Sequence, residues 1–544
     1  MAEQGADQER APLRFAAGGM LPSRLRPLLL PAGVCLLGLV VQFHPMILAG
    51  FGAISGDPGD SRLVNYLLEH TFRWAVRRPD HASFWNLPMF FPAQNVLAYS
   101  ESLLGVAPLY CLWRGLAVPP DAAFQLWLLS MAALNFAGCH LLLRRTFGCE
   151  RAAAACGSFL FAFGNSRTAQ LHHPQLLSAL ASLLTLYCLG RLLRQPRAAS
   201  WWLPAAVACM VAQVYAGYYV AWSFAFGLGL CGCFCMLDRR CRDAILAVRV
   251  RWPAALLSLA VASLAIPWLL HGVAVVREAG WYPFAGAAPL LPRPQSWLYM
   301  GRRSWLYFGL RNLSLFTAIP AEHEQRLGIG IATTACAALG LWRQRRQPWV
   351  KPLAFATAAL IVLTTQWPYG LTPWRVVHAV VPGAGGIRAV SRLGLLLLFP
   401  AGLGIAGFVR PGKRRWQALL VALCLLEQGY ASQTYSKRLF AAAAARVAAA
   451  VPAHCRSFYA AVAAGAGQDA SAVLHQLDAV SAESLLGVPT INGYSGHQPQ
   501  GYGELTNNVI AGAADPPRLR AAFDRWRLAG RLDESCFVIV PSSY

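Results

Sequence analysis

Acidic side chains are scarce in this chain. Against 47 Lys and Arg stand 24 Asp and Glu, and charged residues of both signs fill only 13% of the 544 positions, about half the share of a soluble domain. An ordinary soluble enzyme is thereby excluded. With 56% hydrophobic residues the chain reads as a polytopic membrane protein, and its few acids stand out as candidates for chemistry. The formal charge of +23 does not point to nucleic acid, because the arginines cluster between apolar runs, where they orient membrane helices; the expected surroundings are a lipid bilayer, with no nucleic-acid partner. Metal-ligand spacing of Cys and His is also missing. Most of the 15 cysteines lie inside apolar runs as small hydrophobes, and Cys231-Gly232-Cys233-Phe234-Cys235 has no His or acid at ligand spacing, so it reads as packing. The sequence is polar through Gly19 and the first apolar run is long enough to span, so no removable leader is expected.

Eleven apolar runs are predicted as membrane helices: 28–51, 122–143, 152–164, 176–193, 201–216, 218–237, 253–275, 327–342, 352–365, 393–409 and 416–429. Arg10, Arg14, Arg24 and Arg26 precede the first of them, which puts the N-terminal tail, 1–27, in the cytoplasm and the following turn outside. The later basic clusters then all fall inside: Arg144 with Arg145, Arg191 with Arg194 and Arg197, Arg239 with Arg240, Arg343 with Lys351, and Arg410 with Lys413 and Arg414. Segment 103–116 is broken by Gly105 and Pro108 and carries Arg114. As a span it would reverse that order, so it is predicted to lie at the interface within a long external loop, 52–121. The membrane domain is therefore 28–429. Beyond it come an Ala-rich helix over 438–451, strand candidates at 457–462 and 536–540, and a Gly/Pro-punctuated stretch at 487–503. Residues 430–544 are expected to form a small extracytoplasmic α+β domain, in which Cys455 and Cys536 either pair or stay free thiols.

Directly after the first run, the turn Gly56-Asp57-Pro58-Gly59-Asp60-Ser61-Arg62 holds two acids on one bend, with Pro fixing one dihedral and Gly permitting the next. Asp60 or Ser61 is expected to cap a helix with Leu63, Tyr66, Leu67 and Phe72 on its apolar face. Ionisable groups are costly in lipid and gather at cavities. Asp57, Asp60, Arg62 and His70 from the first loop, His172 and His173 from the second, and Arg388 and Arg392 from the fourth are expected to converge there. Acids, imidazoles and guanidiniums together suit a phosphate-linked substrate. An ionised Asp takes a proton from a hydroxyl, while Arg388 and Arg392, four apart, would on a helix grip a phosphate from one side or else snorkel to the interface. Asp57, Asp60 and His172 are the candidates for a Mg or Mn site; alternatively the His pair caps the helix ahead of Pro174. Glu322 and Glu324 read as helix N-terminal charges.

A first span, a long external loop that opens with acids and contains Phe90-Phe91-Pro92, and a second span ending in Leu142-Leu143-Arg144-Arg145 resemble the membrane glycosyltransferases of the GT-C fold. The stretches Phe159-Leu160-Phe161-Ala162-Phe163-Gly164 followed by His172-His173-Pro174-Gln175, Gly386-Ile387-Arg388-Ala389-Val390-Ser391-Arg392, and Ile491-Asn492-Gly493-Tyr494-Ser495-Gly496 are similar to its bacterial YfhO-like branch. The resemblance implies a sugar donor linked to polyprenyl phosphate, a glycan, lipid or protein acceptor outside the plasma membrane, and Asp57 or Asp60 as catalytic acid. The family's second-loop acid is replaced here by His172-His173. Rival expectations are a transporter or flippase of lipid-linked substrates, against which stands the near absence of charge inside the apolar runs, and a membrane assembly protein acting through its tail.

Overall fold

A computed structural model describes residues 26–194, 201–409, 415–464, 471–507, 509–511, 516–530, 532, 534–542 and 544. Of the predicted orientation signals, Arg10, Arg14, Arg24, Arg197, Arg410, Lys413 and Arg414 lie outside the described residues. Each of the eleven apolar runs contains a helix. Five helices are long and apolar enough to cross a membrane: Leu28–Leu48, Pro120–Arg145, Pro174–Arg194, Tyr218–Leu237 and Val390–Phe408. Two pairs bend at prolines, Trp252–Ser263 with Ile266–Ala279 by 41° and Val350–Thr364 with Pro368–Val380 by 91°; counted as one span each, they bring the number to seven. The other four, Arg151–Phe163, Trp202–Ala216, Ile331–Arg343 and Arg415–Glu427, have only 13 or 15 residues. They rise about 20–23 Å, short of the roughly 30 Å hydrocarbon layer. By length, five to seven spans stand where eleven were expected. Small residues let these helices approach closely: a Cβ on Gly340 would land on the carbonyl oxygen of Gly404, so Ile331–Arg343 and Leu398–Phe408 touch backbone to backbone.

The segment expected at the interface is the helix Ala107–Gly115, packed against both Asp60–Ala75 and Pro120–Arg145. Its Arg114 turns inward, with Nε 2.7 Å from Glu69 Oε2, and the Tyr110 hydroxyl donates to the same oxygen at 2.9 Å. This pairing removes the need for a water-facing guanidinium.

Strand β1 (Ala53–Ser55) pairs antiparallel with β2 (Thr434–Ser436), Ile54 opposite Tyr435, so the start of the tail lies beside the Asp57 turn. The helix Asp60–Ala75 then packs on the tail helix Ala472–Leu486. Within the tail, β3 (Ser457–Ala464), β4 (Val509–Ala511) and β5 (Ser535–Pro541) form a sheet in the order β4-β3-β5, with both pairs parallel. Helices Ala472–Leu486 and Pro516–Gly530 alternate with them, an α/β arrangement rather than the expected α+β, because strands running the same way need a crossover between them. Cys455 and Cys536 are joined in a disulfide across 81 residues. Replacing both with Ser is expected to cost up to about 4.5 kcal/mol for a closed loop of this size, read as an earlier unfolding transition in detergent. A transition unmoved by the substitution or by reductant would show that the link adds nothing.

Candidate active site

Asp57 is turned back on its own bend. Its Oδ1 accepts from the backbone N–H of Gly59 at 2.7 Å and of Asp60 at 2.9 Å, the geometry of an Asx turn that starts the helix Asp60–Ala75. Capping therefore falls to Asp57, on the same bend but ahead of the Asp60 or Ser61 expected. Burial, then the neighbouring Asp60 charge, pushes the Asp57 carboxyl up to about 6, against the opposing pull of His173 and the two N–H groups.

Asp60 Oδ2 bonds His173 Nδ1, and its Oδ1 accepts from the Tyr494 hydroxyl at 2.9 Å. Burial opposes its ionisation, but His173, Arg392 and Tyr494 outweigh burial and hold it at about 2. Both partners are delivered by local structure. Arg167 donates to the carbonyls of Phe161 at 2.9 Å and Leu176 at 3.2 Å, folding the loop that carries His172 and His173 inward. Tyr494 follows a segment laid along the first loop, where the N–H groups of Phe90 and Phe91 donate to Asn492 and Thr490 at 3.0 Å each.

The second nitrogen of His173, Nε2, lies 3.0 Å from Glu324 Oε1 and 2.6 Å from Arg392 Nη2. Arg392 also donates to both oxygens of Glu324, at 2.6 and 3.2 Å. A neutral His173 thus accepts from Arg392, and a protonated one donates to Glu324, while Nδ1–H serves Asp60 in both states. Burial and Arg392 disfavour the imidazolium, yet Glu324 and Asp60 prevail and raise its pKa above the ordinary value. Glu324, buried at 3% exposure, is held well below the carboxylate range because Arg392 and His173 outweigh its burial. The His172 ring lies tilted by 54° against His173 with ring centroids 4.2 Å apart; burial and the His173 charge push it down to about 3, and its Nε2 is buried without a partner.

Of the expected residues, Asp57, Asp60, His172, His173 and Arg392 come together. Arg388 does not share a helix with Arg392: the 3-10 turn Val390–Leu397 begins after it, and its exposed guanidinium lies 5.5 Å over the Tyr282 ring. The one-sided pair of guanidiniums is therefore not formed. Arg62 points into the tail, 2.8 Å from Asp478 and 3.1 Å from Ser481, where it ties the loop down. His70 bonds His81 at 2.7 Å and the Phe84 carbonyl at 2.9 Å, equally away from the cluster. Glu324 and Tyr494 were not picked out as site residues. Glu324 bore one signal, a carboxylate just ahead of an apolar run in a chain short of acids.

A recess of about 390 Å³ adjoins the cluster, lined among others by His172, Arg302, Arg303, His323, Arg326 and Tyr430. Arg326 and Arg302 are engaged by Glu322 at 2.7 and 3.3 Å. Among the described residues, Arg303 and Arg388 have no carboxylate within 4.0 Å. The expected Mg or Mn set, Asp57, Asp60 and His172, is not gathered for a cation: its ligand atoms do not lie within 4.8 Å of one another, and Asp57 Oδ1 and both Asp60 oxygens are turned to N–H and O–H groups. The ligand atoms that do gather, on His172, His173 and Glu324, are met by the Arg392 guanidinium, which supplies the positive charge a metal would.

The two titrations set a pH profile. Activity is expected to rise as Asp57 loses its proton near pH 6 and to fall on the alkaline side as His173 loses its own, measured as kcat against pH. For stability, a raised acid pKa means that the folded chain binds the more protons between the ordinary value of 3.8 and about 6, so Asp57 favours unfolding increasingly as pH rises through that window. The raised His173 has the same sign: its stabilisation is present below its unfolded pKa and lost as pH rises through the folded one.

No protein-family model matches the chain, and no curated protein matches it. Among solved structures it is similar to the arabinofuranosyltransferase AftD from Mycobacteria, at 14% identity over 87% of this chain and 32% of that one, with a TM-score of 0.49. It is also similar to ArnT from Cupriavidus metallidurans in the apo state, at 14% identity over 96% of this chain and 90% of that one, with a TM-score of 0.37. The chain spans about a third of the length of the first. Neither likeness is strong enough to decide fold or activity.

Proposed function

We propose that this chain is a membrane glycosyltransferase of the GT-C kind, moving a sugar from a polyprenyl-phosphate donor to a hydroxyl of a glycan, lipid or protein outside the plasma membrane. One observation carries the reading: Asp57 and Asp60, from the loop after the first apolar helix, meet His173, Glu324, Arg392 and Tyr494, delivered by four other parts of the chain, beside a recess lined with guanidiniums. A structural cap alone needs no such convergence.

Asp57, titrating near 6, is the base: ionised at neutral pH, it still binds a proton well enough to take one from the acceptor hydroxyl. That oxygen attacks the anomeric carbon, the bond from this carbon to the phosphate oxygen breaks, and the electron pair leaves with the lipid phosphate, inverting the sugar. The unpaired guanidiniums of Arg303 and Arg388 take up the growing phosphate charge, with His172 a donor-side contact. Asp60 stays ionised and, through His173, holds Glu324 and Arg392 in register. The Cys455–Cys536 link supports an extracytoplasmic tail, and, for an odd number of spans, a cytoplasmic N-terminus. The test is lipid extraction from cells lacking the chain. One polyprenyl-phosphate sugar is expected to accumulate and to be consumed when purified protein is added back; extracts unchanged by both steps overturn the proposal.

A further inference from the structure

A second cluster of ionisable groups lies toward the other end of the helix Asp60–Ala75, about 15 Å along it from Asp60. Its hydrogen bonds fix its tautomers. The Phe84 carbonyl can only accept, so His70 Nε2 carries the hydrogen that bonds it at 2.9 Å. His70 Nδ1 is then a lone pair, and His81 Nδ1, 2.7 Å away, must donate to it. That leaves His81 Nε2 as a lone pair aimed at two carboxylate oxygens, Asp80 Oδ2 at 3.6 Å and Glu483 Oε1 at 3.7 Å. With Glu483 ionised, its Oε1 and His81 Nε2 are two acceptors facing each other with no donor between them.

These groups are sealed in. His81 is 1% exposed and Glu483 0%, and both His81 Nε2 and Glu483 Oε1 are buried without a hydrogen-bond partner. Such orphaned acceptors are costly unless something positive joins them. Arg73 does not: its Nη1 lies 3.2 Å from Asp80 Oδ2, while its Nε serves Glu69, and Arg78 lies 3.5 Å from Asp80 Oδ1. The other oxygen of Glu483 accepts from the Tyr66 hydroxyl at 3.0 Å, which aims Oε1 at the imidazole.

We propose that Asp80, His81 and Glu483 hold a first-row divalent cation of the zinc class, which ties the first external loop to the tail. Tetrahedral ligands at about 2.0–2.1 Å from zinc stand roughly 3.3 Å apart; the two separations from His81 need to close by only a few tenths of an ångström, and all three ligand atoms lie within 4.8 Å of one another. The ligand set, one imidazole and two carboxylates with a place left for water, suits zinc better than magnesium because of the imidazole. The surroundings fit as well. A metal-bound His donates its other N–H to an acceptor, as His81 does to His70, and the bound carboxylate is hydrogen-bonded in turn, as Glu483 is by Tyr66. The site spans the 3-10 turn Pro79–His81 and the helix Ala472–Leu486, and it stands whether or not the transferase reading does.

Purified full-length protein, stripped with EDTA and dialysed against micromolar Zn²⁺, is expected to keep about one equivalent of zinc by elemental analysis. His81→Gln and Glu483→Gln should each bind at least about tenfold less, and His172→Gln, in the other cluster, as much as the parent. A parent that retains no zinc, or zinc retained by both variants, overturns the site. X-ray absorption at the zinc edge of the unsubstituted protein avoids any folding defect. A nitrogen and oxygen shell with one imidazole is expected; sulfur or a second imidazole in the shell overturns the assignment.

Discussion

Asp57→Asn is expected to lower kcat about a thousandfold while leaving the protein folded, because the amide oxygen can still accept from the Gly59 and Asp60 N–H groups but the side chain no longer takes a proton. The accompanying sign is the loss of the acid limb near pH 6 from whatever activity remains. Asp60→Asn should also impair transfer, through the loss of its charge on His173, yet keep that limb. The measurement is consumption of the accumulated lipid-linked sugar across pH by each variant. An acid limb that survives in Asp57→Asn and vanishes in Asp60→Asn would exchange the two roles.

Glu324→Gln is expected to be the most destabilising substitution at the site. The Arg392 and Glu324 side chains are only 10% and 4% exposed and bonded through two contacts, so neutralising the acid leaves a guanidinium buried with little compensation. Breaking a buried pair from one side costs about 3–5 kcal/mol, whereas removing both charges can be nearly neutral. The double variant Glu324→Gln with Arg392→Met should therefore unfold later than Glu324→Gln alone, though neither should transfer sugar. Equal unfolding of the single variant and the parent would mean that the pair contributes no net stability.

The membrane character and the helices were legible in the sequence because both follow from local composition: every apolar run is helical, and the Ala-rich helix appears as Lys437–Ala450. The number of spans was not, since hydropathy shows where helices lie but not whether 13 residues cross or stop short. At the site, the Asp57 turn and the His pair were readable from spacing, as acids on a bend and imidazoles ahead of a proline. Their partners were not. Glu324 lies 151 residues from His173 and Tyr494 lies 434 from Asp60, so only the folded chain brings them together. Arg62 and His70 show the converse error. Proximity in sequence to Asp60 suggested a shared site, but on a helix residues two and ten positions on face other directions, and both side chains were claimed by buried partners elsewhere.

The β1 and β2 pairing limits how this molecule can move. The strand leading into the Asp57 bend is zipped to the first residues of the tail, so the tail cannot swing aside as a hinged cover without unpicking a ladder next to Asp57. The Arg302–Arg326 stretch is tied to the same segment, through the antiparallel bridge of Ser304 with Tyr430 and the bond from the Arg326 guanidinium to the Tyr430 hydroxyl, so both sides of the recess are anchored at the start of the tail, and hydrogen exchange should find slow amides at Ile54 and Tyr435.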